Sequence, residues 1–256
     1  MHAPKPTLSI DELSAAARSE QSDADLFAGK AATATPHLTY SGGPLLTKVQ
    51  VFSIFWGKKW SAGAGAAIAT KLNDFFKAIL VSPLIDQLAE YNVPGKAIGH
   101  GSFAGSKVIT SNAPVGSATD ATIRAQLQKW ISAGSAPPTT PNTLYFVYLD
   151  PGVSSIMGGS KSCTSYCGYH DAAGKMYYAV MPYPSCAGCL GGLAAFDALT
   201  GTSSHELCEA ITDPVPGSGW YDSQHGEIGD ICAWAFKNVS GFNVQLEWSN
   251  AQKKCV

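Results

Sequence analysis

The segment between Lys175 and Lys237 holds residues whose types and spacing suit the binding of a metal ion. It contains no other Lys or Arg, but it carries seven acids, which are Asp197, Glu206, Glu209, Asp213, Asp222, Glu227 and Asp230. Carboxylates at this density repel one another, and a fold accepts them when they bind a cation or when they spread into solvent. The spacing of the acids decides which of these two arrangements the sequence favours.

The string from His205 to Glu209, HELCE, has the spacing of a metal-binding helix. On an α-helix, His205 and Glu209 are about 40° apart around the axis, so both side chains can bind one ion. Glu206 lies about 100° from His205, where it can take a proton from a water on that ion without binding the ion itself. The pattern is that of the HExxH helix of zinc peptidases, with Glu in place of the second His.

A second acidic cluster follows this helix and can supply a third ligand. Pro214 ends the helix, and Gly229 allows the acidic loop to fold back over it. Asp230 is the preferred third ligand and Glu227 its substitute, while Tyr221 is assigned to hydrogen-bond an oxyanion. Imidazole combined with carboxylates favours Zn, whereas carboxylates alone would favour Ca. The alternative for the whole set is a solvated acidic face of the helix.

Two further residues each have two interpretations. His170 is either another metal ligand or a surface histidine in the turn of residues 169–175. Cys208 lies three residues from His205 and is either a thiolate nucleophile or an inert buried thiol. Its place inside the helix favours the buried thiol.

All seven cysteines lie in the C-terminal half of the chain. They are Cys163, Cys167, Cys186, Cys189, Cys208, Cys232 and Cys255. The spacing of the first four is close to that of a zinc ribbon, but in an oxidising compartment we expect two disulfides among them, in any of three connectivities. The last two cysteines are expected to form a third bridge, which leaves Cys208 unpaired.

These residues must be positioned by a fold that contains both strands and helices. Apolar runs predict strands over residues 45–56, 106–111, 144–149, 175–181 and 243–248. Spacing and capping signals predict helices over residues 61–81, 83–91 and 117–134, and a further helix that Ser203 or Ser204 can cap and that stops at Pro214. We therefore predict an α+β domain over residues 38–256, with a mixed sheet and covering helices, preceded by a polar arm over residues 1–37.

The composition argues against two classes of partner. Charged residues make up 14% of the chain and its net charge is −2, which offers no electrostatic basis for binding nucleic acid or an anionic membrane surface. The most apolar long stretch, residues 62–81, carries charges at Lys71, Asp74 and Lys77 that disqualify it as a membrane span. The N-terminus lacks the apolar run of a signal peptide, so Met1 is interpreted as a start residue placed before a mature domain. The low charge and the cysteines together favour a secreted, extracellular protein.

Several motifs occur in an order that resembles a known family. They are YSGGPLLTKVQVFSIFWGKKW (40–60), SYCGYH (165–170), CAGC (186–189), and then HELCEAITDP, GWYD and GEIGDIC. By the order of these motifs, the sequence resembles the exordium-like, or phosphate-induced, family of secreted plant proteins, which has microbial relatives. The resemblance covers about residues 38–256. The resemblance implies secretion to the cell wall or medium, and no settled biochemical activity comes with it.

The sequence also departs from the family pattern. Cys208 stands where a small residue such as Ala is expected, and Asp213 stands where the plant proteins tend to have Asn. The glycine-rich insertion expected after Cys232 is missing. Roles in plant signalling are therefore the least transferable part of the resemblance.

Two functions fit these features. The first is a secreted zinc-dependent metallohydrolase with a zincin-like fold, a metallopeptidase that acts on proteins or peptides. In it His205, Glu209 and Asp230 bind Zn, and Glu206 is the general base. The alternative is a non-enzymatic extracellular protein in which the same residues form a structural metal site and an aromatic groove binds cell-wall glycan or a partner protein.

Overall fold

The computed structural model describes residues 35–256 of the chain. Its strands are β1 (Thr39–Tyr40), β2 (Gln50–Trp56), β3 (Ser102–Ile109), β4 (Ser117–Thr119), β5 (Thr143–Leu149), β6 (Ser154–Met157), β7 (Ser160–Lys161), β8 (Tyr169–Ala173), β9 (Met176–Met181), β10 (Trp220–Tyr221), β11 (Phe236–Val239), β12 (Phe242–Gln245), β13 (Trp248–Ser249) and β14 (Lys254–Cys255). Its α-helices are α1 (Gly63–Ile79), α2 (Pro83–Asp86), α3 (Asp120–Ser132), α4 (Ala187–Leu190) and α5 (Ala195–Thr212). Short 3-10 helices cover Lys58–Ser61, Gln87–Tyr91 and Asp230–Cys232.

A five-stranded sheet with the order β3-β2-β5-β9-β8 forms the centre of the domain. Four of its strands are parallel, and β8 joins the edge antiparallel to β9. Every residue of β5 is buried, as expected for a strand whose two faces are both covered. The antiparallel edge strand β8 carries His170 and contacts helix α5.

Two hydrophobic cores lie on opposite faces of this sheet. Alternate residues of β5 pack into one core or the other, because successive side chains of a strand point to opposite faces of the sheet. Phe146 packs in the core that includes residues of α1, α2 and α5, whereas Val147 packs in the core that includes Ile123 and Leu127 of α3. Helix α5 is thus held against the sheet on the same side as α1.

The predicted α+β class, the single domain and the disulfide-bonded C-terminal half are confirmed. The cysteines pair as Cys163–Cys186, Cys167–Cys189 and Cys232–Cys255, and Cys208 is free and buried. None of the helices within residues 35–256 has the length and apolar character needed to cross a membrane. The predicted arm over residues 1–37 lies outside the described residues except for its last three.

Several predicted boundaries differ from the structure. Ser61 does not cap α1, because its hydroxyl donates to the Lys58 carbonyl oxygen (2.7 Å) inside a preceding 3-10 turn. Helix α5 begins at Ala195, so Ser204 is an interior residue whose hydroxyl donates to the Gly201 carbonyl oxygen. The predicted last strand is split, since β12 ends at Gln245 before β13 begins.

Candidate metal centre

Helix α5 carries three of the predicted site residues and ends where the sequence predicts. The helix stops at Thr212, because Pro214 cannot continue it. The Asp213 carboxylate then accepts hydrogen bonds from the backbone N–H groups of Gly217 (2.6 Å), Ser218 (3.1 Å) and Gly219 (2.5 Å). This turn reverses the direction of the chain, and the acidic loop that follows it packs against helix α5.

The structure brings His205, Glu209 and Asp230 together. His205 Nε2 lies 3.1 Å from Glu209 Oε1 and 3.9 Å from Asp230 Oδ1. One ligand atom from each of the three residues lies within 4.8 Å of the others. Glu206 Oε1 is 4.0 Å from His205 Nε2, beside these atoms rather than among them. The helical spacing therefore correctly predicts that His205 and Glu209 lie side by side.

Contacts around these residues fix their orientation. The Gln245 amide nitrogen donates to the Gly229 carbonyl oxygen (2.8 Å) and lies 2.8 Å from His205 Nδ1, which leaves Nε2 facing Glu209. The Asp230 backbone N–H donates to Glu209 Oε1 (3.1 Å). A Cβ atom at Gly229 would lie 2.5 Å from His205 Nδ1, so this close approach requires glycine.

A second group of ligand-type residues adjoins the first. His170 Nδ1 lies 3.2 Å from Glu206 Oε2 and 3.5 Å from Glu209 Oε2, and its Nε2 lies 3.4 Å from Glu227 Oε1. His170 is 2% exposed, so the interpretation as a surface histidine is wrong. Glu227 contacts His170, whereas Asp230 occupies the position beside His205.

The histidines and carboxylates perturb one another strongly. Burial alone would lower the pKa of His205, but the charges of Glu209, Glu206 and Asp230 raise it well above its ordinary value. Burial would raise the pKa of Glu209, yet the two neighbouring histidines lower it to about 2. Glu227 shows the opposite balance, since burial raises its pKa well above the usual range. Ionisable groups perturbed in this way are typical of functional sites.

These residues lie at one cleft of about 160 Å³. The polar lining includes His170, His205, Glu206, Glu209, Glu227, Asp230 and Gln245. Aromatic side chains of Tyr166, Trp234 and Phe236 also line it. Trp234 has a φ of 65°, which a bulky residue adopts at a cost of about 1–3 kcal/mol. The cleft thus combines an acidic, histidine-containing part with an aromatic part.

The structure does not bring Tyr221 to this cleft. Tyr221 lies on β10, pairs with Thr39 of β1 and lines a separate cavity with His37, Asp222 and His225. Tyr221 is therefore not placed to hydrogen-bond an oxyanion at this cleft. Cys208 is fully buried, and burial raises the pKa of its thiol well above the usual range, which fits the inert thiol.

Sequence reasoning missed Gln245 and left the role of His170 open. Gln245 of strand β12 lies forty residues from His205, and no spacing rule connects that strand with helix α5. For His170, the neighbouring cysteines and the family-like string SYCGYH were the available signals. A comparison of the chain with known protein families and with curated proteins finds no match.

Proposed function

We propose that this protein is a secreted, zinc-dependent metallohydrolase that cleaves proteins or peptides. The observation that carries the proposal is the convergence of His205, Glu209 and Asp230 at a cleft, with Glu206 beside them. Three protein ligands leave room for water or substrate, which is typical of catalytic zinc and differs from the closed shell of a structural site.

Each residue has a distinct role in this proposal. His205, Glu209 and Asp230 hold the metal, and the imidazole favours Zn over Ca. When bound, the zinc ion supplies Lewis acidity, which polarises a carbonyl and makes a neighbouring water easier to deprotonate. Glu206, which lies beside these ligands, would accept a proton from that water.

Other features support the proposals that the protein is secreted and that its cleft binds peptides. Three disulfides in one domain are typical of proteins from oxidising compartments, and we propose that this protein is secreted. We also propose membership of the exordium-like family from its ordered motifs, and a zincin-like arrangement of α5 beside the antiparallel edge strand β8. The aromatic part of the cleft provides a surface for apolar side chains of a peptide.

The test combines metal analysis with digestion of an unstructured protein such as casein. We expect at least one zinc ion per chain. We also expect measurable cleavage that stops when a chelator removes the metal. Glu206→Gln should lower the cleavage rate by about 100- to 10,000-fold and leave the metal content unchanged, because it removes a base and not a ligand. Glu90→Gln, an exposed residue outside the cleft, is the matched control and should keep full activity.

The outcomes separate the alternatives. Unchanged cleavage by the Glu206→Gln variant would show that the role assigned to Glu206 is wrong. If chelation lowers the melting temperature and no cleavage is found, the protein is a binding protein with a structural metal site. If chelation changes neither stability nor cleavage, the acids form a solvated face and both metal functions fail.

A further inference from the structure

We propose that His170, Glu209 and Glu227 form a second divalent-cation site, so that the cleft binds a pair of metal ions bridged by Glu209. This inference rests on the proposed metal centre, because Glu209 belongs to both ligand sets. The second ion would be a cation that accepts nitrogen and oxygen donors, such as Zn²⁺ or Mn²⁺.

The two oxygens of the Glu209 carboxylate face different histidines. Oε1 lies 3.1 Å from His205 Nε2, and Oε2 lies 3.5 Å from His170 Nδ1. The ligand atoms of His170, Glu209 and Glu227 also lie within 4.8 Å of one another. A carboxylate in this position can place one oxygen on each of two ions, which in two-metal sites are about 3.5–4 Å apart.

Glu227 supplies an independent sign that a ligand is needed. It is 8% exposed and lines the cleft, and its buried Oε1 atom has no hydrogen-bond partner among the described residues. A buried polar atom without a hydrogen bond is costly, and coordination of a cation is one way to remove that cost. Its contact with His170 Nε2, at 3.4 Å, is longer than a normal charged hydrogen bond.

The orientation of the His170 ring also fits a metal ligand. Its Nε2 lies 3.1 Å from the Asp213 carbonyl oxygen, so an N–H on Nε2 donates to that oxygen. Metal-binding histidines usually donate their second N–H to a carbonyl or carboxylate, which fixes the ring. This leaves Nδ1, which lies 3.2 Å from Glu206 Oε2 and 3.5 Å from Glu209 Oε2, as the nitrogen that binds the ion.

The number of carboxylates in the cleft is sufficient to balance two divalent ions. Four carboxylates line it, those of Glu206, Glu209, Glu227 and Asp230, and no Lys or Arg is among the lining residues. One divalent cation neutralises half of this charge when both histidines are neutral. A second divalent cation would neutralise the rest when all four carboxylates are ionised.

The test counts metal ions in the full-length protein after it is loaded with Zn²⁺ and separated from free metal. We expect about two ions per native chain, and about one in either Glu227→Gln or Asp230→Asn, because each variant removes a ligand of one site. Glu209→Gln should lose both ions. Glu90→Gln is the control: Glu90 is exposed and lies outside the cleft lining, so the variant should keep both ions.

Electron paramagnetic resonance of the native protein loaded with Mn²⁺ gives an independent measurement. Two bridged ions produce an exchange-coupled spectrum, which isolated ions do not show. Circular dichroism shows whether the Glu227→Gln variant folds. If it does not fold, the spectrum of the native protein still tests whether two bridged ions are bound. An uncoupled spectrum overturns the bridged pair.

The results also distinguish this inference from the proposed function. A native chain that holds about one ion, retained by Glu227→Gln and lost by Asp230→Asn, overturns the second site and leaves the metallohydrolase proposal standing. A native chain that holds no ion overturns both.

Discussion

Glu209 is the residue on which the candidate metal centre depends. It is 3% exposed, and its two oxygens contact His205 and His170, which come from helix α5 and strand β8. The backbone N–H of Asp230 also donates to it. A residue with this many charged neighbours cannot be replaced without leaving one of them unpaired, which is costly in a buried position.

At the residue scale, we predict that Gly229→Ala weakens metal binding. The added Cβ would lie 2.5 Å from His205 Nδ1 and 3.0 Å from Glu209 Oε1, so both ligands must move. Loss of ligand positioning typically lowers metal affinity by about 10- to 100-fold, which titration calorimetry with Zn²⁺ can measure. Gly188→Ala, where an added Cβ meets no atom within 4 Å, should keep the native affinity. Equal affinities in both variants would contradict the packing described for Gly229.

Helix α5 is the element that joins the site to the core. Leu207 and Ile211 are fully buried in the core shared with α1, whereas His205 and Glu209 line the cleft. The Ser203 hydroxyl also forms a hydrogen bond with the Tyr148 hydroxyl of β5 (2.8 Å). The geometry of the ligands is therefore held by packing on the opposite side of the helix.

At the element scale, we predict that Leu207→Ala destabilises the domain. Leu207 is 0% exposed, and such truncations cost about 2–5 kcal/mol because they leave a cavity. Urea denaturation of metal-free protein measures the free energy of unfolding without any contribution from metal binding. Val115→Ala is the control, since Val115 is 94% exposed and should change stability by less than about 0.5 kcal/mol. A cost for Leu207→Ala as small as that of Val115→Ala would argue against the packing of α5.

Across the whole molecule, the disulfides connect the acidic loop with the rest of the domain. Cys232 ends the 3-10 helix that begins at Asp230, and it is bonded to Cys255 of β14. Cys163–Cys186 spans the same sequence separation of 23 residues but lies away from Asp230 in the chain. The two bridges therefore form a natural comparison.

At this scale, we predict that Cys232→Ser/Cys255→Ser lowers both stability and metal affinity. Opening a loop of this length costs about 3 kcal/mol in the free energy of unfolding. Asp230 also loses its covalent anchor, so zinc affinity should fall, as calorimetry would show. The matched variant Cys163→Ser/Cys186→Ser should lose similar stability and keep its zinc affinity. If both variants lose zinc equally, general destabilisation explains the effect and the anchor role of Cys232–Cys255 is wrong.

Much of the fold and part of the site follow from local rules. The placement of His205, Glu206 and Glu209 could be predicted because the period of a helix fixes which side chains converge. The buried run of β5 and the helix stop at Pro214 are local in the same sense. The class of the fold and the presence of the disulfides follow from such patterns and from the cysteine content.

The tertiary structure decided the rest, because those contacts join segments that are distant in the chain. His170 reaches Glu206 across 36 residues and Gln245 reaches His205 across 40, by sheet pairing and helix packing that spacing does not encode. The same packing separates Tyr221 from the cleft although it lies close in sequence to Glu227. Sequence alone determined that a helix presents His and Glu side by side. The packing of an edge strand and an acidic loop against that helix determined which further side chains join them.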